Sequence, residues 1–307
     1  MVANRRALFV GSKQLGLDAL QTMVEAIPGR VAAAITLDDA ADKRSVLPKF
    51  RAYCDSVDLP LSIAKGPSDL TDLVQKYCPY YVLVAGWYWI IKPSLLATVP
   101  AGFLGLHQSL LPKYRGSAPL VWAALRGEKQ TGVSLFYFDE GIDTGDVVDQ
   151  VSFALTPHDT ITDVLAKAET AAVELVTRYA EPLLSGTAPR RKQDHELASY
   201  GSPRRPEDGR ISWNQPASEV YNFIRAQTRP YPGAFTNLAE GKVLRIWQAS
   251  LFPYPYYGVP GLVGQKHRDG FVVACGEGAI TIHEWELDGG ASMPVDSAVK
   301  WGMRLGE

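Results

Sequence analysis

The chain has 307 residues, 46% of them hydrophobic and 21% charged, with a formal net charge of −2 and a pI of about 6.2. That length suits two domains with sizeable cores, and the near-neutral balance excludes a global pull towards nucleic acid or anionic membrane. The three cysteines, Cys54, Cys78 and Cys275, have no ligand spacing and an odd count, so neither a zinc site nor a disulfide framework is expected.

No run reaches the length of a transmembrane helix, and MVANRRALFVG lacks the long apolar core of a signal peptide, so a cytoplasmic protein without a membrane partner is expected. Arg6 to Gly11 reads as a short buried strand, and Leu15, Leu20, Met23 and Ile27 then recur at helical spacing. This strand, glycine turn and helix open a parallel α/β unit. It is not a GxGxxG dinucleotide fingerprint, because only Gly11 and Gly16 are present.

Val31 to Leu37 is a second strand, followed by a polar stretch that mixes Asp38, Asp39 and Asp42 with Lys43, Arg44, Lys49 and Arg51 and would hold phosphates poorly. A helix from Phe50 to Val57, the short strand LPLSIA and a helix with Leu70, Leu73 and Tyr77 on one side come next. Tyr80 to Gly86 has the unbroken apolar character of a central buried strand, and Trp87, Tyr88 and Trp89 at its end suit core packing or a pocket wall.

The stretch from Gly105 to Asp149 concentrates the residues with chemistry. His107 stands at the end of an apolar strand and before SLLPKYRGSAP, a loop rich in turn formers, which is where α/β enzymes keep catalytic groups. VSLFYF is a strand that breaks into DEGIDTGD, and Asp143 lies in the break. A carboxylate brought beside an imidazole fixes its tautomer and prepares it for proton transfer near neutral pH. Arg115 and Gly116 read as shapers of the loop. The Ser109 hydroxyl is equally suited to touching a ligand or capping a turn.

Val151 to Leu155 reads as a strand, and Ile161 to Leu184 as a long helix with a sustained apolar stripe, closed by Gly186. Arg190 to Gly209 is the most polar and turn-rich segment and reads as a linker at the domain boundary, with His158 and His195 on the surface. A helix with Val220, Phe223 and Ile224 on its buried side follows. From Ala234 onwards, AFTNL, KVLRIWQAS, GLVGQ, FVVACG and AITIHEWEL alternate like the strands of a small all-β barrel.

Taken together, HQSLLPKYRGSAP, TGV and DEGIDTGD, in this order and at this spacing, resemble the signature of the folate-dependent formyltransferases, a family that includes methionyl-tRNA formyltransferase and the nucleotide-sugar N-formyltransferases. RPEDGRISW, NFIRA and RPYPGA extend the resemblance, notably towards enzymes that modify amino sugars on a nucleotide carrier. It implies a Rossmann-like, mostly parallel α/β catalytic domain over residues 1–200. A linker helix and an OB-like all-β barrel would fill 201–307.

The activity it implies is transfer of a formyl group from N10-formyltetrahydrofolate to a primary amine, with no metal. Residue by residue, His107 takes the place of the catalytic base and Asp143 that of the carboxylate tuning it. Trp89, Ile90 and Ile91 align with a segment lining the folate site, and Asp139, Glu140, Gly141 and Ile142 with the loop that reads the pterin ring. Ser109, Ser117, Asn222 and Arg225 are the implied substrate contacts.

The acceptor expected first is a small-molecule amine on a nucleotide sugar, with methionyl-tRNA as the alternative; the oligomeric state is left open, a homodimer included. One position departs from the pattern. Where the family usually has an asparagine that polarises the formyl oxygen, this chain has Gly105, so a contact often worth roughly 3 kcal/mol must come from elsewhere or be missing. A backbone N–H freed by the glycine, an ordered water, protonated His107 or Gln108 are the candidates. A folate-binding or regulatory protein of altered activity is the reading from another class.

Overall fold

The fold is taken from a computed structural model, in which residues 4–238, 241–267, 270–288 and 299–306 are described. The chain divides into two compact units: Met1–Pro119, Gln130–Ala154 and Ala166–Gly201 form the first, and Leu120–Lys129, Leu155–Leu165 and Ser202–Glu307 the second.

In chain order the first unit contains β1 (Ala7–Gly11), α1 (Lys13–Ala26), β2 (Val31–Leu37), α2 (Leu47–Ser56), β3 (Leu61–Ala64), α3 (Pro67–Tyr77), β4 (Tyr81–Ala85), α4 (Pro93–Leu96), β5 (Phe103–His107) and β6 (Arg115–Gly116). After α5 (Pro119–Leu125), which apart from Pro119 belongs to the second unit, come β7 (Gln130–Tyr137), β8 (Val147–Ala154), α6 (Ile161–Ser185), which belongs to the first unit from Ala166 on, and β9 (Tyr200–Gly201). Seven strands form one sheet in the order β3-β2-β1-β4-β5-β7-β8. The first five are parallel, and β7 and β8 run antiparallel at one side.

β1, β2 and β4 are buried at every residue, which is why their sequences are unbroken apolar runs: a parallel sheet with both faces covered has no solvent side to alternate with. The strand order reverses between β1 and β4, and the backbones there approach closely. A Cβ on Gly11 would lie 2.2 Å from the Ala85 carbonyl oxygen, so only glycine fits, and the Ser12 hydroxyl donates to the Gly86 carbonyl at 2.6 Å. α6 ends where Gly186 takes a φ of +82°, its N–H donating to the Pro182 carbonyl at 3.0 Å.

The second unit holds α7 (Ala217–Arg225) and the strands β10 (Ala234–Asn237), β11 (Val243–Leu251), β12 (Val263–His267), β13 (Gly270–Ala274) and β14 (Ala279–Leu287). They pair antiparallel in the order β10-β11-β14-β13-β12. Ala217, Val220 and Ile224 share one face of α7 and pack on Leu244, Ile246, Phe271, Ile280 and Ile282, each fully buried aliphatic or aromatic side chain contributing about 1.5–3 kcal/mol. Among the described residues no helix is long and apolar enough to cross a membrane.

Two expectations need correction. The strand expected from Val151 begins at Val147, with β8 matching β7 from its first residue. The segment after α6 is more than a linker, because Tyr200–Gly201 pairs in parallel with Arg115–Gly116.

Candidate active site

His107 is the last residue of β5 and is 9% exposed. Its Nε2 lies 2.8 Å from the Tyr114 carbonyl oxygen, which can only accept, so this nitrogen carries a proton and donates. Nδ1 therefore bears the lone pair in the neutral ring, and it faces Asp143 Oδ2 at 3.5 Å. The two residues singled out in the sequence thus stand side by side, with Nδ1 the ring nitrogen nearer the carboxylate.

Asp143 lies in the loop between β7 and β8. It has a φ of +54°, in the left-handed region that aspartate tolerates better than most residues at a cost of about 1–2 kcal/mol. The Gly116 N–H donates to its Oδ2 at 2.7 Å, and the Gln193 amide donates to its carbonyl oxygen at 2.9 Å.

Arg115 is 1% exposed, and each of its guanidinium nitrogens has a partner. Nε and Nη2 donate to Gln193 Oε1 at 3.2 and 2.7 Å, Nη1 donates to the Tyr200 hydroxyl at 3.0 Å, and Nη2 lies 3.1 Å from His195 Nδ1. His195, exposed as expected, is thus also a partner of the buried arginine. Gln193 and Tyr200 were hidden in the sequence by the polarity of their segment.

Gly105 lies mid-strand between Val84 and Phe136. The Phe138 N–H donates to the Phe103 carbonyl at 2.8 Å, so Phe103 and Phe138 form a hydrogen-bonded antiparallel pair. Alternation along the ladder makes Gly105 and Phe136 the next one. The Gly105 N–H is engaged there, which removes the freed backbone donor from the candidates for the missing amide. The space above the glycine is also filled: a Cβ would lie 2.2 Å from Phe138 Cε1 and 2.7 Å from Phe136 Cε1, and the two rings stand 5.2 Å apart.

Asp139 Oδ1 accepts from the Gly141 N–H at 3.0 Å and the Thr144 hydroxyl at 2.6 Å, which shapes the Asp139–Ile142 loop. Residues 139–142 are all exposed, Ile142 at 62%. Trp89 packs edge-on to Trp87 at 5.0 Å. With Ile90, Ile91, Pro67 and Thr71 these tryptophans line a small cleft of about 90 Å³. Ile90 is 84% exposed and Ile91 buried, and Trp87 Nε1 is a buried donor without a partner among the described residues.

Ser109 is fully buried and its hydroxyl donates to the Lys113 carbonyl at 2.6 Å, the turn-capping role of its two alternatives. Ser117 donates its backbone N–H to the Gly201 carbonyl at 2.9 Å. Asn222 and Arg225 belong to the second unit. There Arg225 Nε donates to Asn222 Oδ1 at 2.8 Å, and Nη1 to the Thr156 and Asp159 carbonyls at 3.3 and 2.7 Å. In the polar loop after β2, Lys13 Nζ meets Asp39 at 2.5 Å and Asp42 at 3.0 Å. Arg44 meets Asp42 at 2.8 Å, and its hydrogen bonds hold that carboxyl well below the usual carboxylate range.

The family description "Formyl transferase" matches residues 21–179, and "Formyl transferase, C-terminal domain" matches residues 204–301. The chain belongs to the formyl transferase family. Formyl-group transfer from a formyl-tetrahydrofolate donor, the activity its motifs imply, follows from that membership. The methionyl-tRNA formyltransferase of Pelotomaculum thermopropionicum is 33% identical over 290 residues, 92% of this chain and 91% of the relative. That of Geobacter sulfurreducens is 30% identical over all of this chain and 98% of its own.

Among solved structures, the N-formyltransferase of Helicobacter canadensis in complex with folinic acid and dTDP-3-aminofucose aligns with a TM-score of 0.70 at 19% identity, over 91% of this chain and 99% of its own. The methionyl-tRNA formyltransferase of Clostridium thermocellum aligns at 0.57 and 23% identity, over 81% and 94%. At these identities the structures establish the formyltransferase fold.

Proposed function

We propose that the protein transfers the formyl group of N10-formyltetrahydrofolate to the amino group of methionyl-tRNA, with residues 1–200 as the catalytic domain and 201–307 as the C-terminal domain. The observation carrying the acceptor is the 33% identity, over nearly the full length of both chains, to a methionyl-tRNA formyltransferase. Exposed Ile90 and Ile142 and the unpartnered Trp87 Nε1 suit a flat ring with a hydrogen-bonding edge. They support Trp89, Ile90, Ile91 and Asp139 to Ile142 as the folate-binding set.

The donor supplies an activated formyl carbon whose leaving nitrogen is N10. His107 Nδ1 accepts a proton from the attacking amine and returns it to that nitrogen, so the amide N–C bond forms as the N10–C bond breaks and no proton is left over. Asp143 Oδ2 faces the ring and stabilises its charge in between. Nε2, donating to Tyr114, keeps the imidazole oriented throughout.

A second reading, an amino sugar on a nucleotide carrier, is favoured by the loop after β2. Lys13 and Arg44 are there matched to Asp39 and Asp42, so this loop offers RNA little net positive charge. Incubation of the protein and N10-formyltetrahydrofolate with methionyl-tRNA or with nucleotide-linked amino sugars, followed by mass spectrometry, separates the two. Formyl-methionyl-tRNA as the product, with binding that weakens steeply in salt, is the expected result. Formylated sugar alone would overturn it.

A further inference from the structure

We propose that Gln193 is a positioning residue which holds the Asp143 carboxylate in place, so that the polar stretch after α6 belongs to the catalytic machinery. The inference rests on the reading of Asp143 as the carboxylate partner of His107.

Gln193 is 8% exposed, and its carboxamide is used to capacity. A primary amide has two N–H donors and two acceptor lone pairs. Here Nε2 donates to the carbonyl oxygens of Asp143 at 2.9 Å and Gly145 at 2.7 Å, while Oε1 accepts from Nε and Nη2 of Arg115 at 3.2 and 2.7 Å. The amide cannot be turned over, because the reverse orientation sets NH₂ against a guanidinium and oxygen against two carbonyls.

The clamp has a purpose at Asp143. A backbone at φ +54° returns to ordinary conformations unless something holds it. Two groups do so: the Gly116 N–H fixes the carboxylate at 2.7 Å, and Gln193 fixes the residue's own carbonyl. Arg115 orders both, since it precedes Gly116 and grips Gln193. It is anchored in turn by Tyr200 and by the pairing of Arg115–Gly116 with Tyr200–Gly201. Among the described residues the hydrogen bonds of Gln193 run to Arg115, Asp143 and Gly145, so it acts on the reaction through Asp143.

Gln193→Glu separates the two halves of the clamp. It keeps an acceptor for Arg115 and replaces the two donors by an oxygen facing the carbonyls of Asp143 and Gly145. The experiment measures kcat, KM for donor and acceptor, and the pH profile of kcat for wild type, Q193E, D143N and the double variant, with a melting curve for each. Q193E is expected to lose about tenfold to a hundredfold in kcat, with little change in either KM and a displaced pH profile. In the D143N background the same change is expected to cost less than about twofold, because the residue it positions is already disabled.

A wild-type kcat in Q193E, or an equal loss in both backgrounds, would overturn the proposal. A near-normal D143N would instead show that the reading of Asp143 is wrong. Should Q193E fail to fold, Gln193→Met, neutral and of similar length but removing both halves of the clamp, carries the comparison between the wild-type and D143N backgrounds.

Discussion

Gly105→Asn is the perturbation whose outcome the structure fixes most closely. The new Cβ would stand 2.2 Å from Phe138 Cε1 and 2.7 Å from Phe136 Cε1, far inside van der Waals contact. Phe136 is almost fully buried, with the His107 ring against it at 6.2 Å, so half-buried Phe138 must yield. Overpacking of this kind costs about 1–3 kcal/mol, and for a unit of this size each kcal/mol moves the melting temperature by about 2–4 °C. Thermal unfolding of G105N, F138A and the double variant measures the effect. The double variant is expected to be more stable than the two single losses predict, by a coupling of about 1 kcal/mol or more. Strict additivity, or an unchanged melting temperature in G105N, would refute the reasoning that Phe138 occupies the asparagine's space.

Four further predictions rest on burial and hydrogen bonding. Arg115→Lys keeps the charge but cannot bridge Gln193 and Tyr200 together, and should cost about 2 kcal/mol in a urea titration. Arg225→Ala should lower the melting temperature and leave KM for the acceptor unchanged, because its guanidinium is committed to Asn222 and two carbonyls; a raised KM with unchanged melting would make it a substrate contact instead. Burial pushes the Cys54 thiol up to about 11 and the Cys275 thiol up to about 12, so a thiol reagent near pH 8 should modify exposed Cys78 first and the other two only on unfolding. Both raised thiols are neutral in either state below their ordinary value of about 9. Above it the unfolded chain releases protons first, so stability should fall as pH climbs from about 9 towards 12.

What the sequence made legible was whatever depends on burial along the chain. VAAAITL and YVLVA could be read as strands because both faces are covered, whereas in AITIHEWEL only the second half, from His283, alternates between half-buried and exposed positions. His107 and Asp143 were visible because two motifs bracket them. The supports of that pair were not. Gln193, His195 and Tyr200 lie in a stretch whose polarity resembles a solvated linker, and only the tertiary contact with Arg115 distinguishes them. Phe138 reads as one more aromatic in VSLFYF, and nothing local shows that its ring lies over Gly105. Ser109 and Arg225 carry hydroxyl and guanidinium groups suited to a ligand, yet the fold turns both towards protein carbonyls.

The most direct measurement is single-turnover formyl transfer from N10-formyltetrahydrofolate by the wild-type protein, His107→Ala and Asp143→Asn, each checked for folding by its melting curve. A loss of about a hundredfold to ten-thousandfold in both variants, with melting close to wild type, is the predicted result. Near-normal transfer in both folded variants would contradict the assignment of the chemistry to this pair.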